Sequence, residues 1–92
     1  MSKAIIIDKF GGPEVMKMVE SQVLPPNSNE ATIRNTAIGL NFIDIYHRSG
    51  LYPLELPSQL GLEGSAVITD LGKDVDGFNL GDRVAYVGLP IG

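Results

Sequence analysis

Asn41, Asp44, Tyr46, His47 and Arg48 stand within one short stretch of a 92-residue chain, and Tyr52 follows just beyond it. An amide, a carboxylate, two phenols, an imidazole and a guanidinium can donate, accept and hold protons. Such a set suits polar recognition of a small molecule and stabilisation of developing charge. It does not suit soft-metal chemistry: the chain has one histidine and no cysteine, so a thiolate zinc site is excluded and no carboxylates stand at ligand spacing to His47. It does not suit serine hydrolysis either. No Gly-x-Ser-x-Gly elbow occurs, and His47 and Ser49, two apart on a helix, do not face each other. Neither Gly-x-Gly-x-x-Gly nor a P-loop is present, so a nucleotide's main phosphate cradle is expected elsewhere.

A short helix must carry these groups. Asn41 is a good N-cap residue, able to accept a backbone N–H two or three residues on. Asp44 places a carboxylate in the first turn, at the positive end of the helix dipole, like the acidic half of a capping box. Gly50 can take the left-handed conformation that ends a helix, leaving about two turns. So short a helix needs a surrounding fold. A plainer reading stands beside the functional one. Phe42, Ile43, Ile45 and Tyr46 also suit a helix that buries an apolar face. Asp44 and Arg48 suit an exposed i,i+4 pair of small value, and His47 a partly exposed helix residue.

The rest of the chain reads as strands and turns. Lys3–Asp8 is a β-branched run. Phe10-Gly11-Gly12-Pro13-Glu14 is a turn with no helix opening after it. Val15–Val19 alternates as a return strand whose inner face is ambiguous, because Lys17 interrupts one side and Met16 and Met18 lie on the other. Leu24-Pro25-Pro26-Asn27-Ser28-Asn29 is a linker. Glu30–Leu40 is the clearest strand, with Ala31, Ile33, Asn35 and Ala37 on a face expected to pack on the core. Leu54–Gly61 is a proline-punctuated loop without a period. Glu63–Gly72 reads as a strand with small residues at its start, where close approach is possible. Phe78 and Leu80 are expected to anchor the turn before a last strand, Arg83–Val87. Short strands, frequent turns and one helix predict a mainly β fold, a small partly closed barrel or a pair of sheets. The apolar end Gly88-Leu89-Pro90-Ile91-Gly92 suggests an uncovered edge and a chain that is a fragment.

A net charge of −4 and a pI near 4.7 leave no basic stripe for nucleic acid. No apolar run approaches the ~18 residues of a membrane span, and Asp8 interrupts the only short run near the start. A cytoplasmic protein is the expectation.

Gly39-Leu40-Asn41-Phe42-Ile43-Asp44-Ile45-Tyr46, followed by Arg48-Ser49-Gly50-Leu51-Tyr52-Pro53, resembles the signature of NADPH-dependent quinone oxidoreductases. These are the ζ-crystallin-like, zinc-free branch of the medium-chain dehydrogenase/reductase superfamily. Gly11-Gly12-Pro13-Glu14-Val15, Gly61-Leu62-Glu63-Gly64 and Gly81-Asp82-Arg83-Val84 resemble further landmarks of that family in the same order. The resemblance implies that residues 1–92 form the GroES-like, alcohol dehydrogenase-like N-terminal part of the catalytic domain, a partly open β-barrel of a larger two-domain α/β enzyme. It implies a Rossmann NADPH-binding domain after residue 92, and an isolated chain that is inactive. It further implies Asn41, Tyr46 and Tyr52 as catalytic residues lining the cleft where nicotinamide and quinone meet, with Asn41, Phe42 and Tyr46 on the cofactor. Zinc enzymes of the superfamily have Cys at the position of Asn41 and His at that of Leu62, so no metal is expected. Asp44 and Glu63 match positions that stay acidic and are expected to be structural. A quinone or related acceptor is the implied substrate, and a homodimer the implied full-length state. Two alternatives remain open: a non-enzymatic GroES-like assembly module, and an enone or acryloyl reductase of the same superfamily.

Overall fold

A computed structural model describes residues 2–88 and 91. Met1, Leu89, Pro90 and Gly92 lie outside the described residues, so the expectation about the apolar end of the chain falls largely outside them too.

The elements run β1 (Ser2–Ile7), a one-turn 3-10 helix (Pro13–Val15), β2 (Met16–Ser21), β3 (Ala31–Ile38), α1 (Phe42–Ser49), β4 (Ser58–Gln59), β5 (Glu63–Leu71) and β6 (Arg83–Val87). The strands form two three-stranded antiparallel sheets, β2-β1-β4 and β3-β5-β6. The fold is mainly β, as the alternation of short strands and turns predicts.

The chain divides into two compact units. One draws on Met1–Val23, Gly39–Leu62 and Gly88–Gly92, the other on Leu24–Ile38 and Glu63–Val87. In the first unit β1 is the middle strand. It pairs with β2 from Ser2↔Ser21 to Ile7↔Met16, and with β4 through Ile6↔Gln59 and Ile7↔Ser58. Ile7, in contact with both neighbours, is fully buried, and Val15 beside it in the chain's next turn is buried too. The ambiguity of β2 has a simple origin. As an edge strand it exposes Met16, Met18 and Lys17 alike, and the Lys17 ammonium pairs with Asp8 at 2.7 Å. The turn before β2 does contain a helix, against expectation: Pro13 at its first position has the fixed φ that starts one, and it ends after a single turn.

In the second unit β5 is the middle strand, and Ala66 and Ile68 are its buried residues. The face of β3 expected to pack on the core does not: Ala31, Asn35 and Ala37 are exposed and only Ile33 is half-buried. β3 is an edge strand, and two register shifts, at Thr32/Ile33 and Asn35/Ala37, break the simple alternation that the sequence suggested. The turn at 78–82 is anchored by backbone rather than by side chains. Gly81 N–H donates to the Ile68 carbonyl and Ile68 N–H to the Asp82 carbonyl, each at 2.9 Å, while Phe78 and Leu80 are exposed. The linker is tied down in the same way. Gly72 N–H donates to the Glu30 carbonyl at 2.7 Å and Asp74 N–H to the Ser28 carbonyl at 2.9 Å.

Candidate functional site

The site is built on α1, and α1 is fixed at both ends within the first unit. At its start Asn41 is the N-cap, with extended backbone. Asp44 turns its carboxylate back, so that the Asn41 N–H donates to Asp44 Oδ2 at 2.9 Å. The Asp44 N–H in turn donates to the Asn41 carbonyl at 3.0 Å. The carboxylate on the Asn41 N–H is the acidic half of the capping box that the spacing predicts, while the Asp44 N–H bonds the Asn41 main-chain carbonyl.

At the other end Gly50 adopts φ 87°, which a residue with a Cβ reaches only at a cost. The Tyr46 carbonyl collects three donors there: Gly50 N–H at 3.1 Å, Tyr52 N–H at 3.3 Å and the Ser49 hydroxyl at 3.3 Å. The Phe10-Gly11-Gly12 turn closes on the same end. Gly11 N–H donates to the Arg48 carbonyl at 3.0 Å, and Arg48 Nε donates to the Gly11 carbonyl at 3.2 Å. A methyl group added at Gly50 would stand 2.9 Å from the Phe10 ring. Gly11 and Phe10 therefore serve as a brace for the helix.

Three readings of α1 change. Arg48 does not form an exposed pair with Asp44, because its guanidinium is committed to Gly11 and Asp44 is buried. His47, expected to be partly exposed, is only 7% accessible, and Asp44 only 5%. The helix does not bury an apolar face: Phe42 is 76% exposed and Ile45 is exposed as well, while Ile43 and Tyr46 are half-buried. The two best-buried positions of α1 are thus charged or titratable, a pattern that apolar periodicity cannot reveal.

The structure brings Tyr46 and Tyr52 together. Their rings meet edge to face, centroids 5.5 Å apart and planes at 85°. Asn41 and Phe42 lie at the opposite end of the same two-turn helix, both exposed. One end of α1 thus offers an amide and an open ring, the other a hydroxyl-bearing aromatic pair. No group of three His, Cys, Asp or Glu residues disposed to hold a metal occurs among the described residues. Sequence reasoning missed the bracing role of Phe10, Gly11 and Arg48. The only signal for it was a glycine pair next to an aromatic, which by itself says nothing about which element it touches.

Residues 27–90 match the model of the alcohol dehydrogenase GroES-like domain. Among curated relatives, the chain is 50% identical to the quinone oxidoreductase of Pseudomonas aeruginosa, with all of this chain and 29% of that protein covered. It is 41% identical to a 2-haloacrylate reductase of a Burkholderia species, again with all of this chain and 29% of that protein covered. Among solved structures, Escherichia coli quinone oxidoreductase complexed with NADPH superimposes with a TM-score of 0.93 at 44% identity, over 98% of this chain and 28% of that one. The chain thus spans under a third of the length of these relatives. A family model that takes in most of the chain, together with the antiparallel sheets and the capped α-helix of the described residues, places this chain in the alcohol dehydrogenase GroES-like domain family.

Proposed function

We propose that this domain forms the acceptor side of an NADPH-dependent quinone reductase. The observation that carries the reading is the Tyr46–Tyr52 ring pair at the C-terminal end of a helix whose N-cap is Asn41. The similarity to quinone oxidoreductases, one of them complexed with NADPH, supports it.

NADPH supplies the hydride when it is bound. The residues present fit the nicotinamide end of such a cofactor and not its phosphates. Asn41 offers an exposed amide and Phe42 an open ring, whereas no glycine-rich phosphate cradle occurs in the sequence. The diphosphate is therefore held by residues outside this chain, consistent with the dinucleotide-binding domain that the family resemblance implies. A quinone accepts one hydride and one proton to become a hydroquinone. Negative charge develops on the quinone oxygen as the hydride arrives. The Tyr46 hydroxyl or the Asn41 amide is the donor that meets it, and one well-placed donor of this kind is worth about 2.7–4 kcal/mol. Tyr52 supports the Tyr46 ring and presents its own face, 52% exposed, to a flat acceptor.

Zinc has no part in this reading. A dehydrogenase zinc acts as a Lewis acid on a carbonyl, and neither the Asn41 amide nor the Leu62 side chain offers the thiolate or imidazole that would hold it. Quinone reduction needs less polarisation, because the product ring is aromatic. The cytoplasmic setting and the homodimer belong to the same family reading. Among the described residues no helix is long and apolar enough to cross a membrane.

The likeness to a 2-haloacrylate reductase favours a second reading, hydride addition to an activated alkene. One experiment separates them. The full-length protein, dialysed against a strong chelator and checked for metal content, is assayed for NADPH oxidation with a quinone and with 2-haloacrylate. Quinone turnover that survives chelation is expected. Activity that vanishes with the metal and returns with zinc overturns the zinc-free mechanism, and turnover of the acrylate alone overturns the acceptor.

A further inference from the structure

Two side-chain atoms of α1 are buried without a hydrogen-bond partner among the described residues, Asp44 Oδ1 and His47 Nδ1. Burial of a polar atom without a partner is costly, and nearly all such atoms in folded proteins have one. Two of them three residues apart on one helix lie on the same face, with Cβ atoms about 5–6 Å apart. Their chemistry is complementary. A carboxylate oxygen only accepts, and a neutral imidazole can carry its hydrogen on Nδ1. A metal is not the partner they call for, since no third ligand residue joins them among the described residues. Arg48, the nearest cation along the helix, is occupied with the Gly11 carbonyl.

We infer that His47 is a positioning residue: the two atoms do not bond each other directly, and its Nδ1–H reaches Asp44 Oδ1 across one water and so holds the carboxylate that caps Asn41. The chain of contact then runs from His47 through both oxygens of Asp44 to the Asn41 N–H, of which the last link is the 2.9 Å bond. Asp44 without His47 would still sit at the helix start, but one of its oxygens would be free to turn the carboxylate away. The ring nitrogen would be set as well, because the hydrogen bond fixes which tautomer is present. The consequence for catalysis rests on the function proposed above, through Asn41. The geometry does not, and its test is independent of turnover.

The test uses the full-length protein labelled with 15N-histidine, with the His47 signals assigned by their loss in His47→Asn. A proton on Nδ1 is expected, and an unprotonated Nδ1 overturns the proposal. The second readout is hydrogen exchange at the Asn41 amide. His47→Leu, which keeps bulk and removes the donor, is expected to speed it by about five- to tenfold, the loss of one hydrogen bond. His47→Asn, whose amide places an N–H near the Nδ1 position, is expected to leave it within about twofold. The reverse order, Leu protected and Asn not, would show that His47 only fills space. If His47→Leu does not fold, the ring-nitrogen measurement on the unsubstituted protein still decides. A protein that fails to reduce quinones leaves both readouts in force.

Discussion

The Tyr52 ring meets the Tyr46 ring edge-on at 5.5 Å, and the Tyr52 N–H donates to the Tyr46 carbonyl at 3.3 Å. The two residues lie six positions apart, yet the left-handed Gly50 turns the chain so that ring and backbone agree. Edge-to-face pairs contribute about 0.5–1.5 kcal/mol beyond their buried area. Tyr52→Ala in the full-length protein is therefore expected to raise the KM for a quinone by about two- to tenfold. The KM for NADPH should change less. Steady-state kinetics with both substrates varied checks this, and equal changes in the two constants would place Tyr52 elsewhere.

Gly72 is buried where no side chain fits. A Cβ there would collide with the Asn27 carbonyl and stand 2.5 Å from the Ser28 carbonyl oxygen, both backbone atoms that cannot swing aside. Gly77 has φ 83° and open space around it. Gly77→Ala is expected to cost about 1–2 kcal/mol, the ordinary price of a left-handed alanine. Gly72→Ala should cost more than that, because the 2.7 Å bond to Glu30 must also be pushed open. Urea unfolding of the two variants gives the order directly.

Lys17 and Asp8 make a short ion pair, but their side chains are 61% and 50% exposed. Water screens it, and exposed pairs of this type contribute about 0–1 kcal/mol. Lys17→Ala is expected to shift stability by no more than about 0.5 kcal/mol, and the shift should shrink further at high salt. A larger loss in chemical denaturation would mean that Lys17 supports the β1–β2 ladder in another way.

The 92-residue chain by itself is expected not to bind NADPH tightly. Asn41 and Phe42 offer contacts to one end of the cofactor, and backbone N–H groups at a glycine-rich helix start are missing for the other. Calorimetric titration checks this, and micromolar affinity would show that the chain carries a phosphate site of its own.

How far the sequence could be read depended on whether a feature was local. Arg83–Val87 ends where its own alternation ends, and the capping of α1 follows from Asn41, Asp44 and Gly50 alone. The two-residue strand Ser58–Gln59 escaped notice because its existence depends on Ile6 and Ile7, some 50 residues earlier. The burial of His47 was illegible for a related reason. Nothing near it in sequence says that the helix turns its polar side inward. The exposed face of β3 was misjudged because alternation gives a face but not which neighbour, if any, covers it.

The place of β1 in the middle of its sheet sets a timetable for synthesis. β2 follows it at once, but β4 comes only at residues 58–59. At about 5–20 residues per second the ribosome needs roughly 2–8 s to make the stretch between them. During that interval β1 and β2 can form only a hairpin, and a lone hairpin is marginally stable in water. One flank of β1 stays open to pairing with a stranger for those seconds. Ile5, Ile6 and Ile7 lie on that strand, so an apolar segment is made well before the strand that seals its second flank.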